Sequence, residues 1–115
     1  MAKRARQSLR ILLFEERPGV WIAQCLEHDI AVQGETREAA LAEFKSAIVA
    51  QVDMDRQDCI SPPLSQIPPA PKMYSKKFSG RQTKVVAGPI NDDTTTEDPL
   101  TQRLLANLVI KQLVA

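Results

Sequence analysis

The sequence has few of the residues from which metal and redox sites are built. It contains one histidine, His28, and two cysteines, Cys25 and Cys59, in 115 residues. His28 lies three residues from Cys25, and no second cluster with ligand spacing accompanies them, which argues against a zinc site. Two cysteines do not make the disulfide framework of a small secreted protein. We therefore expect both thiols to be reduced and structural.

Motifs for nucleophilic catalysis and phosphate binding are also absent. The chain has no G-x-S-x-G segment, no reactive-cysteine signature and no glycine-rich phosphate loop. His28 and Asp29 are adjacent, but acid–base catalysis requires a pocket and a second group. Two interpretations of His28 stay open, a loop histidine that is solvated or caps a turn, and a functional contact. We predict a protein that is not an enzyme and uses no cofactor, and we expect Asp53 and Asp55 to be solubilising.

The sequence also lacks long apolar runs and a large excess of charge of either sign. The formal net charge is +1, so nucleic-acid binding cannot be argued from the total charge. The basic residues 1–10 are followed by only about five apolar residues, too few for a secretory core or a membrane span. These features predict a cytoplasmic protein with no membrane contact.

The first part of the chain has the pattern of short strands. Residues 8–15 predict a strand with two largely apolar faces, covered on both sides or on one side with the other in a contact. Pro18 and Gly19 favour a turn, and residues 20–26 are rich in β-branched and aromatic types, which predicts a hairpin. Residues 30–33 predict a third short strand, which Gly34 ends.

From Arg37 the apolar period changes to that of a helix. Thr36 is a good N-cap, because its hydroxyl accepts a hydrogen bond from an N–H group of the first turn. The predicted helix is about 17 residues long and covers a three-stranded sheet with one face. Its apolar face consists of Ala40, Leu41, Phe44, Ala47, Ile48 and Val52.

A proline-rich segment follows, with five prolines among residues 61–71. This composition predicts an extended, polyproline-like course along the surface, attached to the domain by Leu64 and Ile67. A short helix is predicted from about Pro71 to residue 78, stopped by Gly80. Residues 84–87 predict a fourth short strand.

The C-terminal part begins with an acidic loop over residues 91–97. Asp98 and Pro99 then form a helix start, and the leucines that follow predict one helix to the C-terminus. Its broad apolar arc has two interpretations. The leucines pack on their own domain, or they meet a second copy of the chain in a homodimer.

The organisation that follows is an α+β fold. It has a three- to four-stranded, mainly antiparallel sheet with one amphipathic helix packed on it, plus a C-terminal helix. Its segments are a basic tail (1–7), the strand–helix module (8–58), a proline-rich and basic extension (59–90), the acidic loop (91–97) and the terminal helix (98–115).

A cluster of basic residues in the extension indicates a second class of function. Tyr74 and Phe78 are interleaved with it, and clustered Lys and Arg residues supply phosphate contacts. A nucleic-acid-binding regulator is therefore the alternative function, and a solvated basic face is the alternative explanation. The cluster consists of Lys72, Lys76, Lys77, Arg81 and Lys84.

Residues 9–52 resemble the HicB-like antitoxin family. The matching segments are Val20-Trp-Ile-Ala-Gln-Cys-Leu26, Ile30-Ala-Val-Gln-Gly34 and Thr36-Arg-Glu-Ala-Ala-Leu41, with Phe44 and Ile48. The proline-rich stretch 60–71 also looks like the one that follows the helix in that family. The resemblance implies a partial RNase H-like fold that has lost its active site and neutralises a small, basic HicA-type mRNA-interferase toxin by binding it.

The resemblance also implies where a partner binds. We expect the sheet edge, the hairpin and the terminal helix to form the contact, through Trp21, His28, Leu104 and Leu108. Many members repress their own operon through a C-terminal DNA-binding segment, but this chain shows no helix-turn-helix or ribbon-helix-helix pattern there. A vestigial nuclease is a third hypothesis. It requires several carboxylates converging on a metal, and none is centrally placed on the strands.

Overall fold

A computed structural model describes residues 8–86 and 96–114, so the tail 1–7 and most of the acidic loop lie outside the described residues. The described chain is α+β, as expected, with one mixed sheet. None of its helices has the length and apolar character needed to cross a membrane. The elements are β1 (Leu9–Arg17), β2 (Val20–Cys25), β3 (Ala31–Gly34), α1 (Arg37–Gln57), α2 (Lys72–Ser79), β4 (Thr83–Val85), α3 (Pro99–Ala106) and β5 (Leu108–Leu113).

Strands β1 and β2 form the predicted antiparallel hairpin. Phe14 pairs with Ile22, and the register shifts between Glu15 and Arg17, which is a β-bulge next to the turn. Gly19 has a φ of 79°, a conformation that glycine adopts without steric cost. The proline–glycine turn is therefore confirmed.

Helix α1 begins directly against the end of β3. Thr36 Oγ1 accepts a hydrogen bond from the backbone N–H of Ala39 at 3.0 Å, which is the predicted N-cap. A methyl group at Gly34 would meet the backbone nitrogen of Ala40 and lie 2.7 Å from the carbonyl carbon of Ala39. Close packing of α1 on β3 therefore requires a glycine at this position. The sequence predicted only that the strand ends here. The helix has 21 residues, longer than the predicted 17 or so.

The sheet is covered on both faces, as the apolar faces of β1 predicted. On one face α1 and α3 pack over the main core, which includes Ile11, Phe44 and Ile48, each 0% exposed. On the opposite face α2 covers a smaller cluster. That cluster consists of the buried Leu12, Leu26 and Phe78, with the half-buried Phe14, Tyr74 and Leu113 packed against it.

The predicted C-terminal helix is wrong beyond Ala106. Residues 108–113 form β5, which pairs in parallel with the central strand β1, so that Leu9 lies beside Leu108. This pairing supplies hydrogen-bond partners along the second edge of β1 and buries Ile110 to 7% exposure. The β-branched Val109 and Ile110 favour a strand, and central pairing outweighs the helical spacing of the leucines.

The sheet has five strands among the described residues, in the order β3-β2-β1-β5-β4, where three or four were predicted. The fourth predicted strand is observed as β4, displaced by one residue to begin at Thr83. It pairs antiparallel with β5, and Thr83 lies beside Leu113. The edge strand β4 therefore depends on β5 as its partner.

The helix predicted before β4 is confirmed as α2. Pro71 occupies its N-cap position and Gly80 its C-cap position. Phe78 is 5% exposed, and Tyr74 stacks on Phe14 with ring centroids 6.4 Å apart. These two aromatic side chains attach α2 to the sheet.

The proline-rich segment departs from the extended course that was predicted. Residues 61–67 fold into consecutive turns, in which Ser65 N–H donates to the Pro62 carbonyl and Ile67 N–H to the Leu64 carbonyl. Leu64 is 2% exposed and Ile67 packs against the main core, so the predicted attachment is confirmed.

A buried carboxylate causes this folding. Asp55 was expected to be solubilising, but it is 4% exposed. Its Oδ2 accepts a hydrogen bond from Leu64 N–H at 2.7 Å, and its Oδ1 accepts one from Gln51 Nε2 at 3.0 Å. Both carboxylate oxygens are thus satisfied, and the loop is fixed to the end of α1.

The Gly34→Ala variant is expected to lower the free energy of unfolding by about 1–3 kcal/mol, because the methyl group overlaps backbone atoms of α1. Urea denaturation followed by circular dichroism measures the change. Gly19→Asn is the control, because asparagine tolerates the positive φ and a side chain there has open space around it. Equal stability of Gly34→Ala and the parent would contradict the close packing.

The Asp55→Ala variant is expected to cost about 1–3 kcal/mol, because it leaves the buried Leu64 N–H without an acceptor. Asp55→Asn retains one oxygen acceptor and should cost less. The urea midpoints of the two variants rank these effects. If alanine and asparagine were equally mild, the carboxylate would not be what holds the loop.

The two thiols are expected to differ in reactivity. Cys25 is 0% exposed, and burial raises its pKa to about 11, whereas Cys59 is exposed. At pH 8 a disulfide reagent should titrate one thiol in the folded chain and two in urea. The Cys59→Ser variant should show no rapid thiol in the folded state. Fast labelling of that variant would place Cys25 at the surface.

Candidate partner-binding site

Trp21 of β2 lies at the hairpin end of the sheet, on the face that α1 covers. It is directly opposite Glu15 on β1 and Gly34 on β3. Ala23 and Cys25 follow it on the same face and are buried in the main core. Trp21 itself is half-buried, and its pairing partner Gly34 abuts the first turn of α1. Part of a large aromatic side chain thus faces solvent.

Three exposed carboxylates lie on the elements that meet at this tryptophan. Glu15 is its cross-strand neighbour, Glu35 follows Gly34, and Glu38 lies in the first turn of α1. Residues directly opposite each other in an antiparallel pair share a face, so Glu15 and Trp21 lie on the same side of the sheet. We call Glu15, Glu35 and Glu38 the acidic rim.

The neighbouring arginines are held by other groups. Arg37 donates to Gln112 Oε1 at 2.8 Å and lies 3.5 Å from a Glu38 oxygen. Arg17 pairs with Glu16 at 3.4 Å. Counting Glu16 and the acidic rim, this region contains four carboxylates and two arginines. It therefore keeps a net negative charge.

A second acidic feature lies at the other end of α1. A groove of about 460 Å³ is lined by Val49, Asp53, Thr96, Glu97 and Asp98. Burial opposes ionisation of Asp98, but hydrogen bonds from Thr101 and Arg56, with the Arg56 charge, hold its pKa below the ordinary value. Arg56 Nε lies 2.8 Å from Asp98, so this groove contains a paired carboxylate besides two others.

His28 has an intramolecular contact. Its Nδ1 lies 3.0 Å from the carbonyl oxygen of Ile67. Two backbone hydrogen bonds join the same loops, from Asp29 N–H to the Pro68 carbonyl and from Ala70 N–H to the Leu26 carbonyl. The contact joins the loop of His28 to the proline-rich segment, and a partner contact through His28 stays a prediction.

The two leucines singled out as partner contacts are buried or half-buried within the chain itself. Leu104 is 3% exposed in the main core, and Leu108 is half-buried in β5 beside Leu9. The interpretation in which these leucines pack on their own domain therefore describes this chain, and Leu104 is not accessible to a partner. The exposed large apolar side chains in the described ranges are Met54, Met73, Val85 and Val109.

The basic cluster is divided between the two faces of the sheet. Lys72, Lys76 and Lys77 belong to α2 and Arg81 to the next turn, and α2 covers the face opposite Trp21. Lys84 of β4 lies on the α1 face, because it pairs with Gln112, which accepts a hydrogen bond from Arg37 of α1. All five basic residues are exposed, and the structure brings four of them together.

Three carboxylates beside Trp21 were not anticipated. The sequence could have indicated Glu15, because a hairpin that turns at Pro18–Gly19 places residues 15 and 21 opposite each other. Glu35 and Glu38 needed the packing of α1 on Gly34, which strand and helix periods do not encode.

No group of three or more His, Cys, Asp or Glu residues in the described ranges is arranged to hold a metal ion. Comparison of the chain with protein-family models, curated proteins and solved structures gives no match. The resemblance to HicB-like antitoxins therefore rests on the sequence segments alone.

Proposed function

We propose that this chain is a non-enzymatic interaction domain of the HicB-like antitoxin type, which binds a small basic protein. The observation that carries the proposal is the half-buried Trp21 beside the exposed acidic rim. The sequence analysis selected Trp21 as a partner contact, and the fold adds charge of one sign around it.

The chemistry of this site fits a basic protein surface. Tryptophan is enriched among residues that dominate binding energy, and its ring face attracts Lys and Arg cations. Exposed carboxylates around such an anchor raise the association rate of a cationic partner and disfavour an anionic one. A HicA-type toxin, expected to be small and basic, meets both requirements.

The fold agrees with a binding role for the module. The hairpin, the third strand and the helix over one face are the elements in which the family-like segments lie. On the α1 face the middle of β1 and β2 carries the buried Ile11, Leu13 and Ala23. A metal-dependent nuclease needs converging carboxylates, so these apolar positions favour binding over the vestigial-nuclease hypothesis.

The test is co-expression of the full chain with a HicA-type toxin, with growth rescue and co-purification as readouts. Trp21→Ala should weaken the complex by roughly 30-fold or more, the scale of a binding hot spot of 2 kcal/mol or above. The double variant Glu15→Lys/Glu35→Lys should also abolish rescue, and it alters only exposed side chains.

Asp53→Lys/Asp58→Lys is the matched control, because it makes the same charge change at the opposite end of α1. It should retain rescue and co-purification. If the control loses binding to the same extent, the effect reflects net charge and not the site at Trp21. If no toxin is captured or neutralised by the parent chain, the proposed function is wrong.

A further inference from the structure

The exposed charges of the chain are divided between its two sides. Five of the fifteen Lys and Arg residues, and none of the fourteen Asp and Glu residues, lie in residues 72–84. The rest of the chain therefore carries ten basic and fourteen acidic residues. A net charge of +1 conceals a basic surface, which we define as Lys72, Lys76, Lys77 and Arg81. Lys84 lies on the other face of β4, the face of Gln112 and α1, and is not part of this surface.

The fold presents these four cations together. Helix α2 and the turn at residues 80–82 are consecutive and lead into β4, which is the edge of the sheet. Within the described ranges, none of the four side chains has a hydrogen-bond or ion-pair partner, whereas Arg10, Arg17, Arg37 and Arg56 each pair with a carboxylate. No intramolecular anion of the described chain neutralises the basic surface.

Further cations lie beneath α2. Lys111 Nζ is 4.7 Å from the centroid of the Phe78 ring and donates to the Phe78 carbonyl at 3.3 Å. The Arg10 guanidinium is 5.8 Å from the same ring. Lys111 thus adds to the positive potential of this side, whereas the Arg10 charge is paired with Glu27. Ser79 and Gln82 are exposed between the cations and supply neutral hydrogen-bond donors.

The aromatic side chains of this segment are turned away from solvent. Tyr74 stacks on Phe14 and Phe78 is buried, so neither ring is available for a nucleobase. Recognition of single strands relies on such stacking, whereas a double helix offers two phosphate backbones with its bases already stacked. Lys, Arg, Ser and Gln side chains are the groups that contact phosphates.

The same packing argues against a lipid surface. A membrane-bound amphipathic helix buries its apolar face in the lipid interface. In α2 that face, Tyr74 and Phe78, is already packed on the sheet. An exposed Met73 remains, which is a small apolar contribution beside four cations.

We infer that the basic surface binds double-helical nucleic acid through its phosphate backbone, without reading base sequence. This activity goes beyond the proposed protein contact and uses the opposite side of the sheet. Four phosphate contacts predict that the logarithm of the association constant falls with the logarithm of salt concentration with a slope of about −3.6.

The experiment measures fluorescence anisotropy of labelled 20-base-pair DNA and RNA duplexes with the full chain between 50 and 200 mM KCl. A single strand of the same length and anionic phosphatidylserine vesicles serve as competitors. We expect both duplexes to bind in a sequence-independent manner, and more tightly than the single strand. Binding of one duplex type alone would identify the source of the phosphates.

The test variant is Lys76→Gln/Lys77→Gln. It should bind the duplex roughly 10- to 60-fold more weakly near 100 mM salt, with a slope reduced to about −1.8. Arg17→Gln/Arg103→Gln removes the same charge from exposed positions elsewhere and should bind like the parent. Urea midpoints confirm that both variants fold.

Three results would overturn the inference. The first is an equal loss of duplex affinity in the Arg17→Gln/Arg103→Gln control, which would show that affinity depends only on net charge. The second is tighter binding of the single strand, which would require exposed bases to be recognised. The third is displacement by vesicles with no duplex binding, which would make lipid the ligand. Loss of toxin binding leaves duplex binding unaffected, so the two activities are tested separately.

Discussion

The parallel pairing of β5 with β1 is the constraint on which the remaining structure depends. Strand β1 carries Ile11, Leu12 and Leu13, all 0% exposed, so it occupies the centre of the sheet and needs a partner on each edge. The hairpin supplies β2, and the C-terminal residues 108–113 supply β5. An unpaired second edge would expose a row of backbone hydrogen-bonding groups beside the core.

Several features follow from this pairing. Strand β4 pairs with β5, and α2, which immediately precedes β4, is thereby held against the face of the sheet opposite α1. On the other side α3 leads into β5 and packs Leu104 into the main core. The basic surface and the burial of the terminal leucines therefore share one cause, although they lie on opposite faces.

The sheet also separates the charges. On one side the half-buried Trp21 lies with the acidic rim, and on the other side the basic surface lies on α2 and the turn that follows it. The covered sheet keeps these two surfaces apart, so the two partners that we propose, a basic protein and a polyanion, would contact different residues. Total charge hides this arrangement because the two contributions nearly cancel.

Local chemistry in the sequence determined most of the individual elements. The Pro18–Gly19 turn, the Thr36 cap, the apolar stripe of α1 and the start of α2 at Pro71 each follow from interactions between residues a few positions apart. The same local logic selected Trp21 and the five cations. Only the tertiary structure decided that residues 108–113 form a strand, that Gly34 is required by a helix, and that Asp55 is buried. The deciding partner is β1 for the strand, the first turn of α1 for Gly34, and Leu64 for Asp55. Each of these contacts arises from three-dimensional packing, which no periodicity of the chain encodes.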